Sequence, residues 1–247
     1  MNLKKIYESG KYLDVVSYVD SLKDPNLEDL RYKMLSLSKL GLFEETIETA
    51  KQIILFDRDN VEAILTMANS YLYLNKLNKA KELYLKILKI DKNNITAMNN
   101  IGLVERMCKN YDEAIKWFEK ASKINSSDRW TALANKASLL LDLGKTKEAL
   151  KDLKKAYEIS KDPKVLMLIG NCYLEDDNYD KAEEYYLKAI SKGYCDQYTL
   201  YNLGLCYYYM KRYDKAKEYL EDAKLLSRDT SLIKDIEKIL SEIENKK

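Results

Sequence analysis

The chain contains no histidine. That absence removes the usual general base at neutral pH, forbids Ser-His-Asp and Cys-His nucleophile pairs, and takes away the common partner of cysteine in zinc sites. Glycine and proline are scarce as well, 7 and 2 in 247 residues, so the turn punctuation of a β protein is missing and an all-α chain is expected. There is no glycine-rich phosphate loop. No apolar run approaches the ~20 residues that cross a bilayer, and the opening MNLKKIYESGKYLDVV is polar where a secretory signal would be continuously apolar. These features predict no membrane insertion and a cytoplasmic location. An excess of one charge is lacking too. The 42 basic and 40 acidic residues give a net +2, with no basic block of the kind that follows a phosphate backbone, which argues against nucleic acid as a partner. Cys108, Cys172, Cys195 and Cys206 form no CxxC pair and are expected to be buried free thiols. No catalytic residue, metal ligand or cofactor is predicted.

What is present is a period. YDKAEEYYLKA at 179–189 returns as YDKAKEYLEDA at 213–223, and YDEAIKWFEKA stands at 111–121. The small residue that opens the second half of each copy falls at Thr46, Ala80, Ala114, Ala149, Ala182 and Ala216, in steps of 34, 34, 35, 33 and 34. Six units follow, at 27–60, 61–94, 95–128, 130–163, 163–196 and 197–230. Each holds two stretches of helical periodicity around a polar break such as KNYD, DNYD or KRYD. Residues 1–26 read as a truncated opening hairpin, with Tyr12, Val15 and Leu22 in second-helix register. Residues 231–247 put Leu232, Ile233, Ile236, Ile239, Leu240 and Ile243 on one stripe, as a helix that caps the last apolar face would.

Glycine within a helical stripe costs close to 1 kcal/mol against alanine. Gly102, Gly170 and Gly204 nevertheless share one register position, which Ala68 and Ala137 fill in other units. Close approach of two helix axes is the predicted reason.

The pattern L-x2-L-G-x2-Y followed by Y-x2-A-x3-L-x2-A, in Leu200 to Ala223, resembles the tetratricopeptide repeat. It recurs as Leu166, Ile169, Gly170, Tyr173, Tyr179, Ala182, Tyr186 and Ala189. Two features depart from the family: its opening tryptophan is replaced by Leu30, Ile64, Met98, Leu133, Leu166 and Leu200, and its proline between units is absent. The resemblance implies an all-α, right-handed superhelical solenoid of antiparallel helix hairpins with a C-terminal capping helix. It also implies a non-enzymatic scaffold or adaptor that binds an extended peptide or a helix of another protein in a concave groove lined by the first helices.

The groove positions implied in this way include Asn69, Tyr73, Asn100, Arg106, Asn135, Asn171, Tyr198, Tyr201, Asn202, Tyr208 and Tyr209. Five consecutive units each supply an asparagine, and a carboxamide donates and accepts at once, which suits a peptide backbone. The same asparagines could instead hold neighbouring hairpins together. Tyrosine offers a large apolar area with a polar tip and few rotors to freeze, although 21 tyrosines in the chain also read as a compositional habit. The family's clamp for a terminal carboxylate is not expected, because Asn99, Thr131 and Asn135 stand where its basic residues would. Two other functions stay open: a self-assembling scaffold, the chain being a monomer or weak homo-oligomer, and regulatory RNA binding through stacked tyrosines. Salt separates the last, since nucleic-acid binding weakens steeply as salt rises.

Overall fold

The computed structural model describes residues 2–246, and among them it contains fifteen α-helices and no strand. Met1 and Lys247, at the outer ends of the expected segments 1–26 and 231–247, lie outside the described residues. The helices group into two compact units that divide between Ile124 and Asn125. The first unit opens with α1 (Leu3–Glu8) and α2 (Tyr12–Asp20). Three hairpins follow: α3 (Leu27–Lys39) with α4 (Phe43–Phe56), α5 (Val61–Tyr73) with α6 (Leu77–Ile90), and α7 (Ile95–Met107) with α8 (Tyr111–Lys123). The second unit holds α9 (Arg129–Asp142) with α10 (Thr146–Ser160), α11 (Pro163–Glu175) with α12 (Tyr179–Ser191), α13 (Gln197–Tyr209) with α14 (Tyr213–Leu226), and a closing helix α15 (Thr230–Glu244) that packs on α14.

Local chemistry explains where these helices start and stop. The first helix of most hairpins is capped by an asparagine or aspartate side chain: Asn26 on α3, Asn60 on α5, Asn94 on α7, Asp162 on α11 and Asp196 on α13. Each satisfies backbone N–H groups that the first turn leaves free. Inside the hairpin the polar break makes a left-handed turn. Lys109, Asp177 and Lys211 sit at φ of 62°, 54° and 59°, and the next residue donates its N–H five positions back, as from Asn110 to the Glu105 carbonyl at 2.8 Å and from Arg212 to that of Tyr207 at 2.8 Å. This six-to-one bond closes the helix C-terminus and sends the chain back antiparallel.

The glycine stripe is where the hairpins close most tightly. A Cβ on Gly102 would lie 2.5 Å from the Phe118 ring, one on Gly170 2.6 Å from Tyr186, and one on Gly204 2.8 Å from Leu220. Each glycine therefore accepts its propensity cost so that a large side chain of the second helix can lie against backbone. In the second unit these residues join one core: Tyr186, Leu203, Cys206, Tyr207, Ala216 and Leu220, continued by Leu232, Ile236 and Ile243 of α15.

Two of the four cysteines depart from expectation. Cys172 and Cys206 are buried, and burial pushes both thiols up to about 12. Cys108 and Cys195 are exposed, because the first sits at the C-cap of α7 and the second in the loop before α13.

One carboxylate is buried in the first unit. Glu105 on α7 has 5% of its side chain exposed and accepts from Lys81 Nζ at 2.5 Å and from Asn110 Nδ2 at 2.8 Å. Burial by itself would raise its pKa, but the bonds from Lys81 and Asn110 outweigh it and hold the carboxyl below its ordinary value. Glu105→Gln is expected to cost about 1–2 kcal/mol, discounted because Lys81 remains partly solvated. A depressed folded pKa contributes stability above the unfolded value, about 4.3, and loses it as pH falls through the folded value. The gap between parent and variant in urea melts should thus be full at pH 7 and smaller at pH 3. An equal gap at both would reject the ionised pair as its source.

Candidate partner-binding surface

Successive first helices share one register. Four side-chain pairs join residues 31 apart: Arg31 Nη2 to Glu62 Oε1 at 2.7 Å, Asn100 Nδ2 to Asn69 Oδ1 at 3.0 Å, Asn202 Nδ2 to Asn171 Oδ1 at 3.0 Å, and the Tyr198 hydroxyl to Asp229 Oδ2 at 3.3 Å. The last pair shows that α15 lies beside α13 as a further first helix would.

The asparagines have a second partner. The Tyr84 hydroxyl donates to Asn69 Oδ1 at 2.7 Å, and the Tyr186 hydroxyl donates to Asn171 Oδ1 at 2.7 Å. Both tyrosines are fully buried, and burial pushes their phenols far above the usual range. A buried hydroxyl without an acceptor is costly, and the carboxamide fifteen residues earlier supplies one. Two other hairpins follow the same logic in reverse. Where the second helix carries Phe118 or Leu220, which have no hydroxyl, the residue fifteen earlier is Leu103 or Leu205. The carbonyls of Asn69 and Asn171 are each used twice within their unit. Neither Arg106 nor Asn135 is free of a partner.

The tyrosines divide by exposure. In the first unit Tyr73 is 72% exposed and stacks on Phe43, centroids 4.7 Å apart. In the second unit Tyr198 is 45% and Tyr209 51% exposed, with Tyr209 stacked on Tyr179 at 5.1 Å. Tyr201 is half-buried; burial and then the charge of Asp235 raise its phenol pKa. Tyr208 is tied to the closing helix: its hydroxyl donates to Glu242 at 2.6 Å and accepts from Lys246 Nζ at 2.8 Å. Asp229, Asp235 and Glu242 join these tyrosines from outside the groove positions expected from the sequence. The signal for Asp235 and Glu242 is their spacing, each 34 residues after Tyr201 or Tyr208. An open cleft of about 830 Å³ elsewhere in the first unit, lined in part by Asp20, Lys33, Glu48 and Lys79, shares no residue with the candidate set.

Helix hairpins repeated at a fixed spacing, each packed on the next within its unit, define the class of helical-repeat proteins. Tetratricopeptide repeat models match residues 61–94, 94–162, 140–194 and 197–229, and the chain belongs to the tetratricopeptide repeat family. Human protein O-mannosyl-transferase TMTC3 is 31% identical over 165 residues, which cover 65% of this chain and 18% of that one. The chain spans between 16% and 36% of the length of the curated relatives it matches. Among solved structures, a tetratricopeptide repeat protein from Parabacteroides merdae superposes with a TM-score of 0.76 at 16% identity, covering 97% of this chain and 96% of that one. YrrB, described as a TPR protein with an unusual peptide-binding site, gives 0.53 at 25% identity over 78% of this chain and 99% of its own. No helix among the described residues is long and apolar enough to cross a membrane.

Proposed function

We propose that the chain is a non-enzymatic interaction scaffold or adaptor that holds an extended peptide or a helix of another protein against its first-helix faces. The observation that carries this reading is the face of α13, where exposed Tyr198 and Tyr209 flank half-buried Tyr201. Aromatic area of this kind binds at low entropic cost because each ring has two rotors and a polar tip. A carboxamide that turns from its partner to a ligand can donate to and accept from a peptide backbone, and the first helices carry Asn171 and Asn202 beside these tyrosines. The peptide-binding site of YrrB is consistent with the same use of the fold.

The test begins with a displayed library of random 12-residue peptides selected against the full chain. Enriched peptides should lose roughly tenfold to a hundredfold in affinity for Tyr198→Ala or Tyr201→Ala, about 1–3 kcal/mol, while Tyr198→Ala keeps the parental melting temperature and Tyr201→Ala, whose ring also packs on the core, stays folded with a lower one. Affinity untouched in both variants would move the binding surface away from α13.

A further inference from the structure

We propose that the face shared by α13 and α15 takes cationic side chains, so that the bound partner is a peptide segment carrying lysine or arginine. This deepens the function proposed above and rests on it. Phenols meet carboxylates along this face. Tyr198 donates to Asp229 and Tyr208 to Glu242, and Tyr201 lies within the field of Asp235. A tyrosine ring with a carboxylate at its edge attracts a cation twice over, through the ring face and through the full negative charge.

The chain supplies its own example. Lys246 Nζ lies 4.5 Å from the centre of the Tyr208 ring and 5.7 Å from that of Tyr213, and it donates to the Tyr208 hydroxyl at 2.8 Å. Lys246 is exposed and follows the last helical residue by two positions, so a partner's cation could displace it. Between the two ends of the face, Asp235 is exposed and forms no ion pair among the described residues. Lys238, between the two acids on α15, forms none with either. The Asp235 carboxylate is therefore left without a cation of the chain, whereas Lys246 stands near Glu242.

The spacing of the acids constrains the partner. Asp235 and Glu242 are two helical turns apart, a rise of roughly 10 Å. A peptide in the polyproline II conformation covers that length in about three residues and returns its side chain to the same side, and a helix does so in about seven. The partner's two cations should thus fall three apart if it binds as an extended polyproline II segment and seven apart if it binds as a helix.

The peptides selected from the library against the full chain are sequenced, and the strongest are labelled with fluorescein for anisotropy titrations. Lysine or arginine at one of these spacings is expected. Asp235→Asn should weaken binding roughly fivefold or more, as should norleucine in place of the peptide's lysine. Glu242→Gln keeps an acceptor for Tyr208 and should weaken it less, because Lys246 competes there. Lys246→Ala should strengthen binding severalfold. Peptides without an excess of lysine or arginine, lost on Tyr201→Ala but indifferent to Asp235→Asn, would overturn the cationic partner and leave the α13 face as the binding surface. Peptides enriched equally by the parent and by a Tyr198→Ala, Tyr201→Ala double variant would overturn both.

Discussion

Tyr186→Ala is expected to destabilise the second unit by about 3–5 kcal/mol, whereas Tyr186→Phe combined with Asn171→Leu should leave it near parental stability. Tyr186 is fully buried against the backbone of Gly170 and Ala182 and Ala189 share its core. Helices held at that separation cannot collapse into the void left by alanine. Removing the hydroxyl alone, in Tyr186→Phe, forfeits one buried hydrogen bond, about 1 kcal/mol. Asn171→Leu alone should cost more, about 1–3 kcal/mol, because it strands a buried phenol without an acceptor. The double variant removes donor and acceptor together, and the chain already uses that solution in Leu103 with Phe118 and in Leu205 with Leu220. Asn202 would lose its partner as well, but it is only half-buried and can turn to water. Urea denaturation of the four proteins closes a double-mutant cycle. A coupling energy near zero would show that the hydroxyl and the carboxamide do not depend on each other.

The same pair shows what is legible in the sequence and what is not. The hairpins are readable because two physical signals coincide: helical faces recur at a fixed period, and a glycine or alanine marks each close crossing. Gly102, Gly170 and Gly204 declare the approach of a large residue without naming it. The asparagines are readable as a set along the first helices, but their acceptor role is not. Tyr84 and Tyr186 lie on the returning helix, and an alignment by first-helix register never sets them beside Asn69 and Asn171. The clue is a co-occurrence fifteen residues apart inside one hairpin. The closing helix hides its acids for a related reason. An apolar stripe fixes which side of α15 faces the core, and Asp235 and Glu242 acquire meaning only when α13 is placed alongside with its tyrosines. The turns are similar: KNYD and KRYD announce a break, while the left-handed backbone at Lys109 and Lys211 depends on a hydrogen bond five residues long that no residue type specifies.

Loss of the closing helix is the other change with a large expected effect. A chain ending after Thr230 should melt at least 10 °C lower than the parent and aggregate at concentrations where the parent stays monodisperse. Leu232, Ile236 and Ile243 are buried on α14 and the core beneath it, and burying each such side chain contributes about 1.5–3 kcal/mol. Fixing fifteen residues in a helix opposes this, so a net loss of a few kcal/mol is the expectation, and a few kcal/mol displaces the melting of a domain of this size by roughly 10 °C or more. The Lys224 to Glu237 bridge at 2.7 Å is half-exposed on both sides and adds little. Aggregation follows from what is uncovered, since a repeat whose apolar face has lost its neighbour presents that face to other molecules. Ile236→Asp separates the stacking role of α15 from its acids. It retains Asp235 and Glu242 in the chain but drives a carboxylate into a site with no exposure, and it should reproduce both the fall in melting temperature and the aggregation. A truncated chain as stable and soluble as the parent would mean that α15 rests on α14 without holding it, and the Ile236→Asp variant would then melt with the parent as well.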